Sequence, residues 1–352
     1  MRIPGRGERT PRPGARPLDW LRAGPWGRFL RAAREQWQAP SQGRFVDAGY
    51  RAILERDPDA TGRAHYVRGL RTGSVTRESV LRHLDESAEA ARVALERPGM
   101  QDHLRRFSEA ADAVPAGLRP VCFLHTMKCG GTALTHGLTA MCDPWPRLIE
   151  LWTDQLLCMP RPLLERTMLV TGHLPYPVVE LLPANTALLT VVREPVSRTL
   201  SHLAHLRTHG ERPDLTLDAF LHDEAWHPMW RNYQARQLAC DVPVGEAWLG
   251  RLPAGTLQAR IDGPITIGDD ELVERATKRL ATIDVVGVAD DLDAVLRRVA
   301  ELWQKPAPAP LDRANESLAP LRSSEVPAAL LDEIRHHTEV DAHLYDLARQ
   351  RQ

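Results

Sequence analysis

The order of apolar and polar positions divides the chain into three stretches. Residues 1–40, which open "MRIPGRGERTPRPGARPLDW", carry Arg, Pro and Gly without an apolar period, and this predicts a disordered or loosely ordered basic leader. Between residues 42 and 100, Phe45, Ala48, Ile53 and Leu54 form an approximate helical stripe and "DPDATG" interrupts it. Thr76 then stands as a cap before a helix with Val80, Leu81 and Leu84 on one side. The spacing predicts a small all-α module. From about residue 118 the pattern changes to short continuous apolar runs, "PVCFLH", "TMLVTGH", "TALLTVV" and "DVVGVA", with helical spacing between and after them. Leu134, Leu138 and Met141 mark one such helix. Val196, Leu200 and Leu203, behind Pro195 as first helical residue, mark another, and "DDLDAVLRRVAELW" a third. Four strands alternating with helices predict an α/β domain over 118–352, a parallel sheet covered on both faces.

Composition adds mainly exclusions. With 43% apolar and 26% charged residues in 352, the chain reads as an ordinary soluble globular protein. A formal net charge of -1 gives no overall attraction to nucleic acid or anionic lipid, so an anion site has to be local. No run reaches the roughly 18 apolar residues of a membrane-spanning helix, and no secretory apolar core opens the chain, so a cytoplasmic protein is expected. Cys122, Cys129, Cys142, Cys158 and Cys240 are odd in number and lack C-x-x-C spacing, which predicts neither a disulfide framework nor a zinc site.

Candidate chemistry sits at the ends of two of the strands, where parallel sheets bind ligands. "HTMKCGGT" at 125–132 follows the first strand and feeds a helix, so unpaired backbone N–H groups and the helix dipole favour an anion there. Gly130 and Gly131 permit close backbone approach, Thr132 offers a hydroxyl and Lys128 a full charge. A tight turn with a merely solvated lysine is the other reading. Because the lysine precedes the glycines, the loop differs from the nucleoside triphosphatase form G-x-x-x-x-G-K-[ST], and no G-x-G-x-x-G is present. In "TVVREPVSRTLSHL", Arg193 ends a strand and Ser201 lies two turns along the next helix, an arrangement suited to gripping a terminal phosphate. A surface arginine followed by an ordinary helical serine would look the same.

Together these motifs resemble the sulfotransferases that use 3'-phosphoadenosine-5'-phosphosulfate (PAPS), in the branch related to glycan 2-O-sulfotransferases. That branch carries "H-x-P-K-T-G-G-T", with Met127 and Cys129 here replacing its proline and the threonine after its lysine, and then Arg, "[DE]-P" and a Ser eight residues after the Arg. "IDVVGVADDLDAVL" and "EIRHHTEVDAHLYDLARQR", with Asp341, Leu344, Tyr345 and Ala348, extend the resemblance over about 118–350. It implies a P-loop-like sheet and PAPS as co-substrate, with no metal. Lys128, Cys129, Gly130, Gly131 and Thr132 would hold the 5'-phosphosulfate, and Arg193 and Ser201 the 3'-phosphate. Lys128 would also serve the leaving phosphate. His173 in "VTGHLPY" would be the general base, with Glu150 in "RLIELW" as the alternative, and His125 would shape the loop. Loss of the threonine hydroxyl at 129 would remove one phosphate hydrogen bond.

Asn232, Gln234, Arg236 and Leu238 resemble a family "N-x-Q-x-R-x-L" segment that could line the cleft. Trp226 and Trp230 could stack on sugars or pack in the core, and Asn315 and Ser317 in "RANES" resemble a loop closing over the nucleotide. The implied acceptor is a small-molecule or glycan hydroxyl, not nucleic acid. Residues 42–100 resemble a bacterial helical module of unknown role through "ERDPDATG", "GSVTRES" and "SAEA", for which protein docking is the expectation. The competing classes are a P-loop kinase or nucleotide hydrolase, and a non-catalytic binding protein with a vestigial nucleotide fold.

Overall fold

A computed structural model describes residues 41–85, 89, 100–153, 156, 161–209, 213–241, 267–306, 308–311 and 323–352. The leader at 1–40, Cys158, and Asn315 and Ser317 of "RANES" lie outside them. Among the described residues of the N-terminal module there are three helices, α1 (Gln42–Ile53), α2 (Ala60–Thr72) and α3 (Arg77–Asp85). Asp59 caps α2 by accepting from the Gly62 N–H at 2.8 Å, and Gly73, at φ 72°, ends it. Thr76 and Ser79 cap α3 reciprocally, each backbone N–H donating to the other's hydroxyl at 2.9 and 3.1 Å. Phe45, Val46, Tyr50, Ile53, Val80, Leu81 and Leu84 close a small core of their own. The periodicity of the sequence identified most of it.

Helix α4 (Met100–Asp112) precedes the α/β domain, whose elements run β1 (Val121–Leu124), α5 (Gly131–Cys142), β2 (Arg147–Trp152), α6 (Arg161–Glu165), β3 (Leu169–His173) and β4 (Ala187–Val192). Helices α7 (Pro195–His209), α8 (Leu217–His222), α9 (His227–Trp230), α10 (Tyr233–Ala239) and α11 (Asp269–Ala281) follow. Strand β5 (Val285–Val288) and helices α12 (Leu292–Leu302), α13 (Ala328–His336) and α14 (Glu339–Arg351) complete it. The sheet is wholly parallel, in the order β2-β3-β1-β4-β5. The chain is thus α/β, a parallel sheet flanked by helices with further helices ahead of it. All four anticipated strands are present.

β2 is the strand the apolar pattern misses, and its register explains why. Leu148 pairs with Val170 but Leu151 with Gly172, so Ile149 and Glu150 together oppose one residue of β3. Glu150 takes up the extra length at φ 57° and donates its N–H to Thr171 Oγ1 at 3.1 Å. This bulge breaks the period of two on which a strand assignment rests.

The strand order reverses at β1. Its connection leaves toward β3 and β2, while that of β4 leaves toward β5, so the adjoining carboxyl ends of β1 and β4 form the switch point where such sheets open a crevice. The loop 125–130 and Arg193 both emerge there. Gly172 keeps the neighbouring edge closed, because a Cβ at that position would overlap the Leu151 carbonyl oxygen. Gly172→Ala is therefore expected to destabilise the protein by more than about 2 kcal/mol in denaturant titration; a change below about 0.5 kcal/mol would contradict the close approach.

Candidate functional site

The loop after β1 is built from backbone contacts. Leu124 O accepts from Thr190 Oγ1 at 3.1 Å, and the His125 N–H donates to Gly172 O at 2.9 Å, which carries the β1–β3 pairing one residue past the strand. Lys128 at φ 68° and Gly130 at φ 77° then turn the chain into α5. Gly130 is the N-cap of α5 and supplies no side-chain acceptor, so the dipole end of this 12-residue helix is left uncapped at the loop. Gly131 leaves the room that the His125 imidazole fills; a Cβ there would overlap the ring.

Three cations meet behind and above this loop. Arg193 Nη1 donates to Lys128 O at 3.1 Å, and Arg198 Nε donates to Met127 O at 3.3 Å. Two guanidinium groups thus hold consecutive loop carbonyls. Arg198 is fully buried; its Nη1 donates to Met229 O at 2.7 Å and its planar group lies 3.9 Å from the Tyr233 ring centroid. Burial and then the Arg198 charge push the His202 imidazole well below its ordinary value, and its Nδ1 lies 3.1 Å from Arg198 Nη2 and 3.0 Å from Met229 O. Burial first, then the charges of Arg193 and Arg198, hold the Lys128 ammonium below its ordinary value. Among the described residues no carboxylate forms an ion pair with Lys128, Arg193 or Arg198. Nor is the start of α7 open to an anion, since Glu194 accepts there from the N–H groups of Val196 and Ser197 at 3.0 and 2.7 Å.

Cys129 and Gln234 support the loop from within. The Cys129 thiol is buried and donates to Gln234 Oε1 at 3.3 Å, and burial pushes it up to about 12. The side chain at 129 therefore faces the protein interior. Asn232 and Gln234, expected to line a cleft, are buried. Asn232 Oδ1 accepts from the Val340 and Asp341 N–H groups at the start of α14, at 3.1 and 3.3 Å. Asp341 in turn accepts from the Gln234 and Ala235 N–H groups at the start of α10, at 3.2 and 2.7 Å. The two helices cap each other. Arg236 donates to Pro228 O at 2.6 Å, and Leu238 is core.

On the other side of the loop two histidines face each other. The rings of His125 and His173 lie 4.3 Å apart, and His173 Nδ1 is 3.1 Å from His125 O. A carbonyl only accepts, so the proton of neutral His173 sits on Nδ1 and the lone pair on Nε2. Burial pushes His173 below its ordinary value despite that bond and the nearby Glu150 carboxylate, and burial together with the His173 and Lys128 charges pushes His125 down to about 3. Both rings are neutral near pH 7.

The remaining candidates fall into two groups. Thr132 is exposed at the second position of α5, and Ser201 is half-buried, three residues after Arg198 and so on the same face of α7. Trp230 is fully buried in a second core with Leu200, Leu203 and Phe220, which excludes it from stacking on a sugar, and Trp226 packs against the same cluster. Arg198 was missed in the sequence, although its i, i+3 relation to Ser201 was visible. Among the described residues no three His, Cys, Asp or Glu side chains are arranged to hold a metal ion, and no helix is long and apolar enough to cross a membrane.

Burial pushes the Asp341 carboxyl up to about 6, from 3.8, against the opposing pull of its N–H donors and of Arg198. Because the folded value exceeds the unfolded one, its contribution to stability is complete below about pH 4 and is lost as pH rises through about 6. Relative to Asp341→Asn, wild-type stability is expected to fall by about 3 kcal/mol between pH 4 and pH 7. A difference independent of pH would show that Asp341 does not take up a proton in the fold.

Residues 31–93 match a domain of unknown function, DUF4214, a span that includes α1, α2 and α3. No curated protein matches the chain.

Proposed function

We propose that the protein is a sulfotransferase that moves a sulfuryl group from PAPS to an acceptor hydroxyl on a carbohydrate or glycolipid. The observation that carries this reading is the meeting of Lys128, Arg193 and Arg198 at one uncapped helix start, with no carboxylate ion-paired to any of them among the described residues. Crowded positive charge of this kind is stabilised by a bound polyanion. The residues fit a nucleotide with phosphates at both ends of its ribose. The α5 N–H groups and Thr132 face one, and the fork of Arg193 with Ser201 suits the other.

When bound, PAPS supplies an activated sulfuryl group whose leaving group is a phosphate. The chain's own tasks are then positioning and charge stabilisation. His173 Nε2, whose lone pair is fixed by the Nδ1–H bond to His125 O, accepts the acceptor hydroxyl proton as the new S–O bond forms. As the old S–O bond breaks, Lys128 and the loop N–H groups meet the charge left on the phosphate oxygen. The helical module is read as a docking element, and a cytoplasmic location accompanies this reading.

Calorimetric titration separates this reading from a nucleoside triphosphatase. Adenosine 3',5'-bisphosphate is expected to bind more tightly than ATP with magnesium, and the reverse order would overturn the assignment. In a labelled-PAPS transfer assay against host glycans and lipids, Lys128→Ala and His173→Ala are each expected to lower kcat at least about a hundredfold. Since burial depresses His173, the acid limb of the kcat profile should lie below the ordinary imidazole value of 6.5. A limb above 6.5 would point to another base.

A further inference from the structure

The side-chain amide of Gln234 is fully buried and occupies a place where four groups from three separate parts of the fold converge. Its Oε1 accepts from the Arg193 backbone N–H at 2.8 Å and from Cys129 Sγ at 3.3 Å. Its Nε2 donates to Arg193 O at 2.9 Å and lies 3.5 Å from Asp341 Oδ2. The partners allow one orientation only. A reversed amide would set N–H against N–H and oxygen against both a carbonyl and a carboxylate. Gln234 therefore pairs with Arg193 as a neighbouring strand would, one residue past the end of β4, where the sheet itself no longer supplies a partner.

We propose that Gln234 is a positioning residue for the anion site: its amide fixes Arg193 against the loop at Lys128, and Asp341 of the closing helix α14 sets the amide. The proposal rests on the nucleotide-binding reading above. Arg193 has one backbone amide pair and one guanidinium, and Gln234 holds the first so that the second spans from Lys128 O to the ligand. Cys129 ties the loop to the same oxygen. The closing helix thus reaches the anion site through the Gln234 side chain. The charged or titratable groups around that amide are Asp341 from α14, Cys129 and Lys128 from the loop, Arg193 from the end of β4 and Arg198 from α7. Arg275 and Arg279 of α11 reach only the far end of α10, at the carbonyls of Ala239, Leu238 and Cys240.

Two variants test this, with adenosine 3',5'-bisphosphate and inorganic pyrophosphate as probes. Gln234→Leu removes both bonds to Arg193 and is expected to raise the Kd of the bisphosphate about tenfold at every pH. Gln234→Glu keeps the shape but places an oxygen against Arg193 O and Asp341. Its Kd relative to wild type should be raised at least about tenfold at pH 8 and return toward wild type near pH 5.5, where a protonated carboxyl restores the donor. A merely structural role would not produce that recovery. If wild type binds the bisphosphate and both variants bind it within about twofold at both pH values, the positioning role is overturned while the nucleotide reading stands. A pH-independent loss in Gln234→Glu also overturns it. If wild type binds neither probe, the nucleotide reading and this inference fall together.

Discussion

Positive charge gathered against a backbone loop is the constraint from which the rest of this site follows. Two arginines and a lysine meet at one turn, where burial and then the two guanidinium charges depress the lysine ammonium, and no carboxylate among the described residues is ion-paired with any of the three. The guanidinium donors go to carbonyls, among them those of Met127 and Lys128. A carbonyl partner shapes the loop without cancelling the charge, as a carboxylate would. Glu194, the acid nearest in sequence, is occupied in capping α7. The loop is held by these backbone contacts, and under the proposed function its positive field serves a bound anion.

Rigidity of that kind needs support beyond the loop, and the fold provides it through reciprocal helix capping. Asn232 and Asp341 exchange bonds between the starts of α10 and α14, which brings Gln234 to the end of β4. The parallel sheet contributes the geometry on the other side: the His125–Gly172 pairing lines β1 up with β3, and the bulge at Glu150 brings a carboxylate into the neighbourhood of His173. Bulges on the edge strands of sheets, such as β2, commonly re-aim a side chain. The His125 carbonyl then fixes which nitrogen of His173 carries the proton.

The four strands read from continuous apolar runs were legible because strands buried on both faces need no alternation. β2 was not, because its bulge shifts the pattern in mid-strand. Lys128, the glycine pair and Arg193 were visible as motifs, since each lies at the junction of a strand with a helix start. What holds them was not. The Arg198–Met127 bond joins residues 71 apart, the Gln234–Arg193 bonds residues 41 apart and the Gln234–Asp341 bond residues 107 apart. Local periodicity carries no information about such partners. Trp230 shows the same limit, being a core residue whose aromatic ring alone could not reveal burial.

The central claim is that the ends of β1 and β4 form one site for a nucleotide with two separated phosphates. A crystal structure with adenosine 3',5'-bisphosphate tests it most directly. The account predicts the 5'-phosphate on the N–H groups of Gly131 and Thr132 beside Lys128, and the 3'-phosphate within hydrogen-bond distance of Arg193 and Ser201. Both phosphates bound elsewhere, or a loop 125–132 left without ligand at saturating nucleotide, would contradict it.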